Sequence, residues 1–171
     1  MKISELMLPE FDQEMANTRK MLAALPETIP DYKPHQKSMA LGYLAGHLAQ
    51  LPSWGKTAAE TEVLEMKMGE FKPFVPKTRK EVLEVFDKNV KEARPAIAKV
   101  SDEDMAKMWT FKMDGKTVFS MPRSAVLRST VLSHIIHHRA QLGVYLRMLD
   151  LAIPGMYGPS NDEMSMFTAA K

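Results

Sequence analysis

The chain has five histidines, and their spacing separates those able to do chemistry together from those that stand alone. His134 and His138 lie four residues apart in SHIIHHRAQL, and His47 stands in LAGHLAQL. Residues i and i+4 of a helix share a face one turn apart, the spacing with which two imidazoles can grip one metal ion. At about 100° per residue, Leu127, Val131, His138, Gln141, Tyr145 and Leu149 fall within about 60° of His134. That arithmetic puts His134 and His138 in the middle of a buried stripe. His47 takes the centre of a second apolar face with Ala40, Leu44, Leu51, Trp54 and Ala58. Three core-facing imidazoles on two helices can converge inside a bundle, where metal sites are built. The competing reading is a set of core histidines satisfied by carbonyls or hydroxyls. It strains at the i, i+4 pair, because each ring brings a donor and an acceptor that need partners. His137 falls toward the edge of the stripe, in a supporting or structural place. His35, in a proline-flanked segment, is expected at the surface, at most near a pocket entrance.

Three neutral imidazoles leave a divalent ion with open positions, as in catalytic sites, at ligand distances of about 2.0–2.2 Å. Zinc or nickel suits such ligands, whereas calcium and magnesium prefer oxygen shells. An ion so held would acidify a bound water or an incoming thiol. Gln141, Tyr43 and Tyr145 are placed to orient a ligand or water; Gln141 can equally be a buried amide bonded to a neighbouring helix. Trp54 and Trp109 can wall a pocket or serve as plain core. No carboxylate falls in the histidine cluster, so no glutamate general base is expected. Nucleophile-elbow, dinucleotide and P-loop motifs are absent from the sequence.

These residues need long helices to hold them. Leu8, Phe11, Met15, Thr18, Leu22 and Leu25 recur at spacings of three and four, predicting a first helix that stops before Pro26. Ser38 is the expected N-cap of a second helix running to about Met68, kinked at Pro52. Thr78 and Glu81 have capping-box spacing, opening a third helix with Val82, Phe86, Asn89, Ala93, Ile97 and Val100 inward and Pro95 as a second kink. Ser101 and Asp104 signal at most a short turn. Trp109 to Met121 reads as a hairpin around Asp114-Gly115. Pro122 suits the first turn of a fourth helix that reaches about Leu149. The segment from Ile153 reads as an ordered wrap with a frayed end. The expected fold is one all-α domain over residues 1–171, a four-helix bundle with a small β-hairpin before the last helix.

Composition narrows the function. Cys is absent, which rules out disulfides, thiolate ligands and a cysteine nucleophile and points to the cytoplasm. The net charge of +2 comes from interspersed charges, too weak for a nucleic-acid footprint. No apolar run approaches the roughly 20 residues of a membrane span.

The runs Pro34-His35-Gln36-Lys37-Ser38-Met39, Leu41 to Ala49, His134 to Leu142 and Ile153 to Ser160 together resemble the DinB/YfiT-like superfamily of metal-binding four-helix bundles. The resemblance covers nearly the whole chain. It implies a metal triad at His47, His134 and His138. It also implies one of the superfamily's activities: thiol-dependent transfer with low-molecular-weight thiols, or metal-dependent hydrolysis or isomerisation of a small substrate. A non-catalytic metal-binding or stress-related interaction protein is the alternative.

The far side of the fourth helix gives a separate expectation. Ala125, Leu132, Ile136 and Gly143 fall about 160–200° from His134, making an apolar, small-residue face flanked by Arg128, Ser129, Arg139 and Arg147. Such a face is expected to pack on its own copy in a homodimer. The alternative is that a terminal segment of the same chain covers it.

Overall fold

The computed structural model of the chain describes residues 2–70 and 72–168. It is mostly helical with a small three-stranded sheet. Four long helical segments do most of the packing: α1 (Ile3–Ala23), α2 (Leu41–Glu60), α3 (Arg79–Lys99) and α5 (residues 123–148). Short helices α4 (Asp102–Ala106) and α6 (Asn161–Thr168) and strands β1 (Val63–Met66), β2 (Met108–Met113) and β3 (Lys116–Pro122) complete the described elements.

The sequence patterns explain most of this. In α1 the seam Phe11, Met15, Thr18 and Leu22 is buried, and Leu25 just past the helix is 1% exposed. The α3 capping box forms: the Thr78 hydroxyl accepts from the Glu81 N–H at 3.2 Å, and the Glu81 carboxylate accepts from the Thr78 N–H at 3.3 Å. Ser101 caps α4 by accepting from the Asp104 N–H. Pro52 and Pro95 lie inside continuous helices. Pro52 has no N–H to offer the preceding turn. Nearby, the Asn89 amide donates to the Ala49 carbonyl at 2.8 Å, tying α3 to α2.

The hairpin is as expected, with Asp114 (φ 48°) and Gly115 (φ 77°) in the left-handed conformations of a tight turn. The third strand was not expected. The second helix stops at Glu60 rather than near Met68, and β1 pairs in parallel with β2, Leu64 opposite Phe111. Arg123, 5% exposed, ends α2 by donating to the Ala58 carbonyl at 2.7 Å and the Thr61 carbonyl at 2.9 Å. It also donates to the Asp104 carbonyl. The fixed fork of one guanidinium thus satisfies carbonyls that a helix end leaves open. At its start, α2 is capped by Ala40 rather than Ser38, whose N–H instead bonds the His35 carbonyl in a turn.

The fourth long helix departs most from a simple wheel. Arg123–Val126 and His134–Met148 are α-helical, but Leu127–Ser133 between them is π-helical. The 100° rule therefore fails across that stretch. From His134 onward the most buried residues are Ile135, Leu142 and Leu146, each 0% exposed. Their arc is centred about 100° from His134, so the histidines sit at its edge and not in its middle.

The expected surface stripe on this helix also needs correction. Arg139 is not on a rim: it is 2% exposed and pairs with Glu14 of α1 at 2.7 Å. Leu132 is 2% exposed, and Gly143 is buried with the methyl of Met21 beside it. Ile136 stays half-buried, beside an open groove of ≈ 490 Å³ edged by Val144 and Met148.

Past α5 the chain wraps back as expected. Asp162 accepts from the Ile153 N–H at 3.0 Å and Glu163 from the Gly155 N–H at 2.9 Å. The unexpected α6 supplies both carboxylates. The frayed end expected there, residues 169–171, lies outside the described residues.

Candidate metal centre

His47 projects from the second turn of α2, and His134 and His138 from the first turns of the α-helical part of α5. Their ring nitrogens meet. His134 Nε2 lies 2.9 Å from His138 Nε2 and 3.4 Å from His47 Nε2. One ligand atom from each ring falls within 4.8 Å of the others, and among the described residues no other such group of three occurs.

The opposite ring nitrogens show which atoms face the centre. His138 Nδ1–H donates to Gln141 Oε1 at 2.7 Å. His134 Nδ1–H donates to the Thr130 carbonyl at 3.3 Å. A carbonyl can only accept, so both rings carry their proton on Nδ1 and turn bare Nε2 lone pairs inward. Lone pairs facing each other at 2.9 Å repel, and a shared cation turns that repulsion into ligation. Tetrahedral zinc with nitrogen ligands sets neighbouring nitrogens about 3.3 Å apart, close to the spacing here. The three rings fit a divalent ion.

Electrostatics agree with the geometry. Burial, then the neighbouring rings of His138 and His134, push His47 down to about 4. Burial also lowers His134 and His138, against the raising effect of their bonds to Thr130 and Gln141. All three are thus neutral at pH 7, the form that ligates.

Two local features hold the rings in place. In the π-helical stretch the His134 N–H bonds the Val131 carbonyl, three residues back. The Thr130 carbonyl is thereby within reach of the imidazole. On α2, Gly46 precedes His47 because the chain at 72–77 crosses there: a Cβ at position 46 would lie 2.0 Å from the Phe74 carbonyl. The absent side chain lets this strap lie on the helix beside His47.

The other candidates fall in different places. Gln141 is exposed rather than a buried amide, and its oxygen orients His138. Tyr43 and Trp54 line a recess that opens beside His47. Tyr145 is turned elsewhere: its hydroxyl donates to the Met39 carbonyl at 3.0 Å, and its ring meets Tyr32 edge-on. Trp109 is core, 0% exposed, with its indole N–H on the Thr61 hydroxyl. His137 is exposed, its ring against that of His138, and His35 is exposed in its loop. The Thr130 carbonyl is the functional atom that side-chain reasoning missed. A π-helical turn leaves no signature in hydrophobic spacing.

The DinB family profile matches residues 1–170. The chain belongs to the DinB family. A curated relative, the uncharacterized protein YrdA of Bacillus subtilis (strain 168), is 38% identical over 47 residues, a match spanning 28% of each chain. The fold is similar to that of a crystallised DinB-like protein from Bacillus cereus ATCC 10987, with a TM-score of 0.67 and 23% identity over 90% of this chain and 97% of that one. It is also similar to the DinB-like protein YjoA of Bacillus subtilis, with a TM-score of 0.66 and 15% identity over 88% and 96% of the two chains. No helix among the described residues is long and apolar enough to cross a membrane.

Proposed function

We propose that this DinB-family protein is a metal-dependent enzyme. His47, His134 and His138 hold one divalent ion, zinc or nickel, and the protein acts on a small electrophilic substrate by thiol transfer or hydrolysis. The observation that carries this reading is the convergence of three Nε2 atoms, two of them fixed by bonds at the opposite nitrogen. A divalent ion held there supplies Lewis acidity, which acidifies a water or a low-molecular-weight thiol at neutral pH. The chain's own part is to keep the imidazoles neutral and aimed, and to offer the substrate a surface beside them. Three protein ligands leave coordination free, and His47 lines a recess open to solvent. Both features favour a catalytic over a closed structural site. The four long helices are read as the bundle of this family, working in the cytoplasm.

The test is elemental analysis of the native protein, followed by a screen of thiols against electrophiles. About one equivalent of zinc or nickel is expected, and His134→Ala should lose it together with any turnover. A variant that keeps a full equivalent at unchanged affinity would refute the triad.

We also propose a homodimer through the outer face of α5. Leu132 and Gly143 now serve the chain's own packing, so the contact rests on Ile136, with Val144 and Met148 exposed at 61% and 62%. Ile136→Glu should yield a folded monomer by light scattering, and a wild-type chain already monomeric at tens of micromolar would end the proposal.

A further inference from the structure

The recess beside His47 has a chemical character of its own. It encloses ≈ 440 Å³ between α2 and the strands β1 and β2, within the range of small-molecule sites. Trp54 and Phe111 form one wall, meeting edge-to-face with ring centroids 5.5 Å apart. Met66, Met68 and Met113 add flexible thioethers to the lining, Met113 on the same sheet face as Phe111 and paired with Met66 on the neighbouring strand; thioethers favour the rims of aromatic rings. No lysine, arginine, aspartate or glutamate among the described residues lines the space. Its polar side chains stand along α2: Ser53, whose hydroxyl donates to the Gln50 carbonyl at 2.8 Å, and then Gln50, His47 and Tyr43. The Gln50 amide and Tyr43 hydroxyl bond no other protein group among the described residues, so they are free to meet a ligand's polar end. The recess therefore runs from a polar, metal-ligating end to an apolar, sulfur- and ring-lined end.

We infer that this recess is the subsite for an uncharged, flat aromatic arm of the substrate. The arm lies against the Trp54–Phe111 pair and the three methionines, and this leaves the reacting end beside His47. An anionic arm is disfavoured, because it would give up water without meeting a cation. The inference rests on the reading of the triad as an enzyme's metal centre, but the binding itself needs no metal.

The test uses the full chain with carbon-13-labelled methionine methyl groups, titrated with 2-naphthalenemethanol and, separately, with naphthalene-2-sulfonate. Ring-current shifts are expected at Met66, Met68 and Met113. The alcohol should bind at least about tenfold more tightly than the sulfonate. The same shifts should appear in the metal-loaded protein and in His134→Ala. A triad that takes up no metal would refute the enzyme reading and leave these shifts in place, so the two failures are distinguishable. Trp54→Ala should weaken the alcohol at least about fivefold; should that variant unfold, Met68→Glu at the exposed rim serves the same purpose. Shifts centred instead on Met148 and Met156 of the outer groove, absent shifts, or equal affinity for the two probes would overturn the inference.

Discussion

Adjacent residues of α5 serve two polar clusters of opposite kinds. His138 is one of three neutral rings whose lone pairs converge, with no cation among the described residues to receive them. Arg139, the next residue, meets the Glu14 carboxylate at 2.7 Å, the Glu14 carbonyl at 3.1 Å, the Thr18 hydroxyl at 3.2 Å and the Tyr157 hydroxyl at 2.7 Å. Tyr157 in turn donates to the Glu14 carboxylate. The arginine cluster is complete inside the chain, with charge and hydrogen bonds balanced. The histidine cluster offers three converging ring nitrogens that a cation could complete. A buried polar group that the protein satisfies by itself is architecture, whereas lone pairs that it aims at one point make a candidate binding site.

The largest effect that can break this contrast comes from the finished side. Glu14→Gln strands the Arg139 charge with both side chains at 5% exposure or less, so unfolding free energy should fall by about 3–5 kcal/mol in urea titrations. Metal stoichiometry of the folded protein should be unchanged. An unaltered urea midpoint would mean that the pair is no structural anchor.

The next effect belongs to the unfinished side. Gln141→Leu removes the acceptor that orients His138 from an exposed position, and should weaken metal binding about 10–100-fold with little change in metal-free stability. A chelator competition assay decides it, and unchanged affinity would make the Gln141 contact incidental.

The smallest effect is on pH. His47 titrates near 4 in the folded protein, below the ordinary imidazole value of 6.5. As pH falls through that window the unfolded chain takes up a proton that the folded chain refuses. Metal-free stability is thus fully present above about 6.5, declines toward about 4, and levels off below. Calorimetric scans across this range should show the decline shrink in His47→Ala. An equal decline in that variant would assign the slope to other groups.

The elements that could be read from sequence were those set by local rules. The α3 capping box, the Asp114-Gly115 turn and the i, i+4 histidines each depend on residues only a few positions apart. Arg139 was illegible because its burial depends on Glu14, 125 residues away, and an unpaired arginine belongs at the surface. The strand β1 does leave a trace, Leu64, Met66 and Met68 alternating with Glu65 and Lys67, but no proline or glycine separates it from α2 to mark the change. What stops that helix is Arg123, about sixty residues later, with the sheet edge it helps to place. The place of His134 and His138 at the edge of the buried arc is hidden by the 100° wheel that finds them, because one angular period does not hold across a π-helical turn.

The main-chain support of His134 has an evolutionary consequence. A carbonyl oxygen is supplied by every amino acid, so position 130 can exchange its side chain while the ligand beside it stays aimed, provided that the turn keeps its shape. Position 141 has no such freedom, because only a side chain that accepts a hydrogen bond can do its work. Two supports of one histidine cluster should therefore drift at very different rates across related chains. The slower of them is the one that stands in open view on the surface.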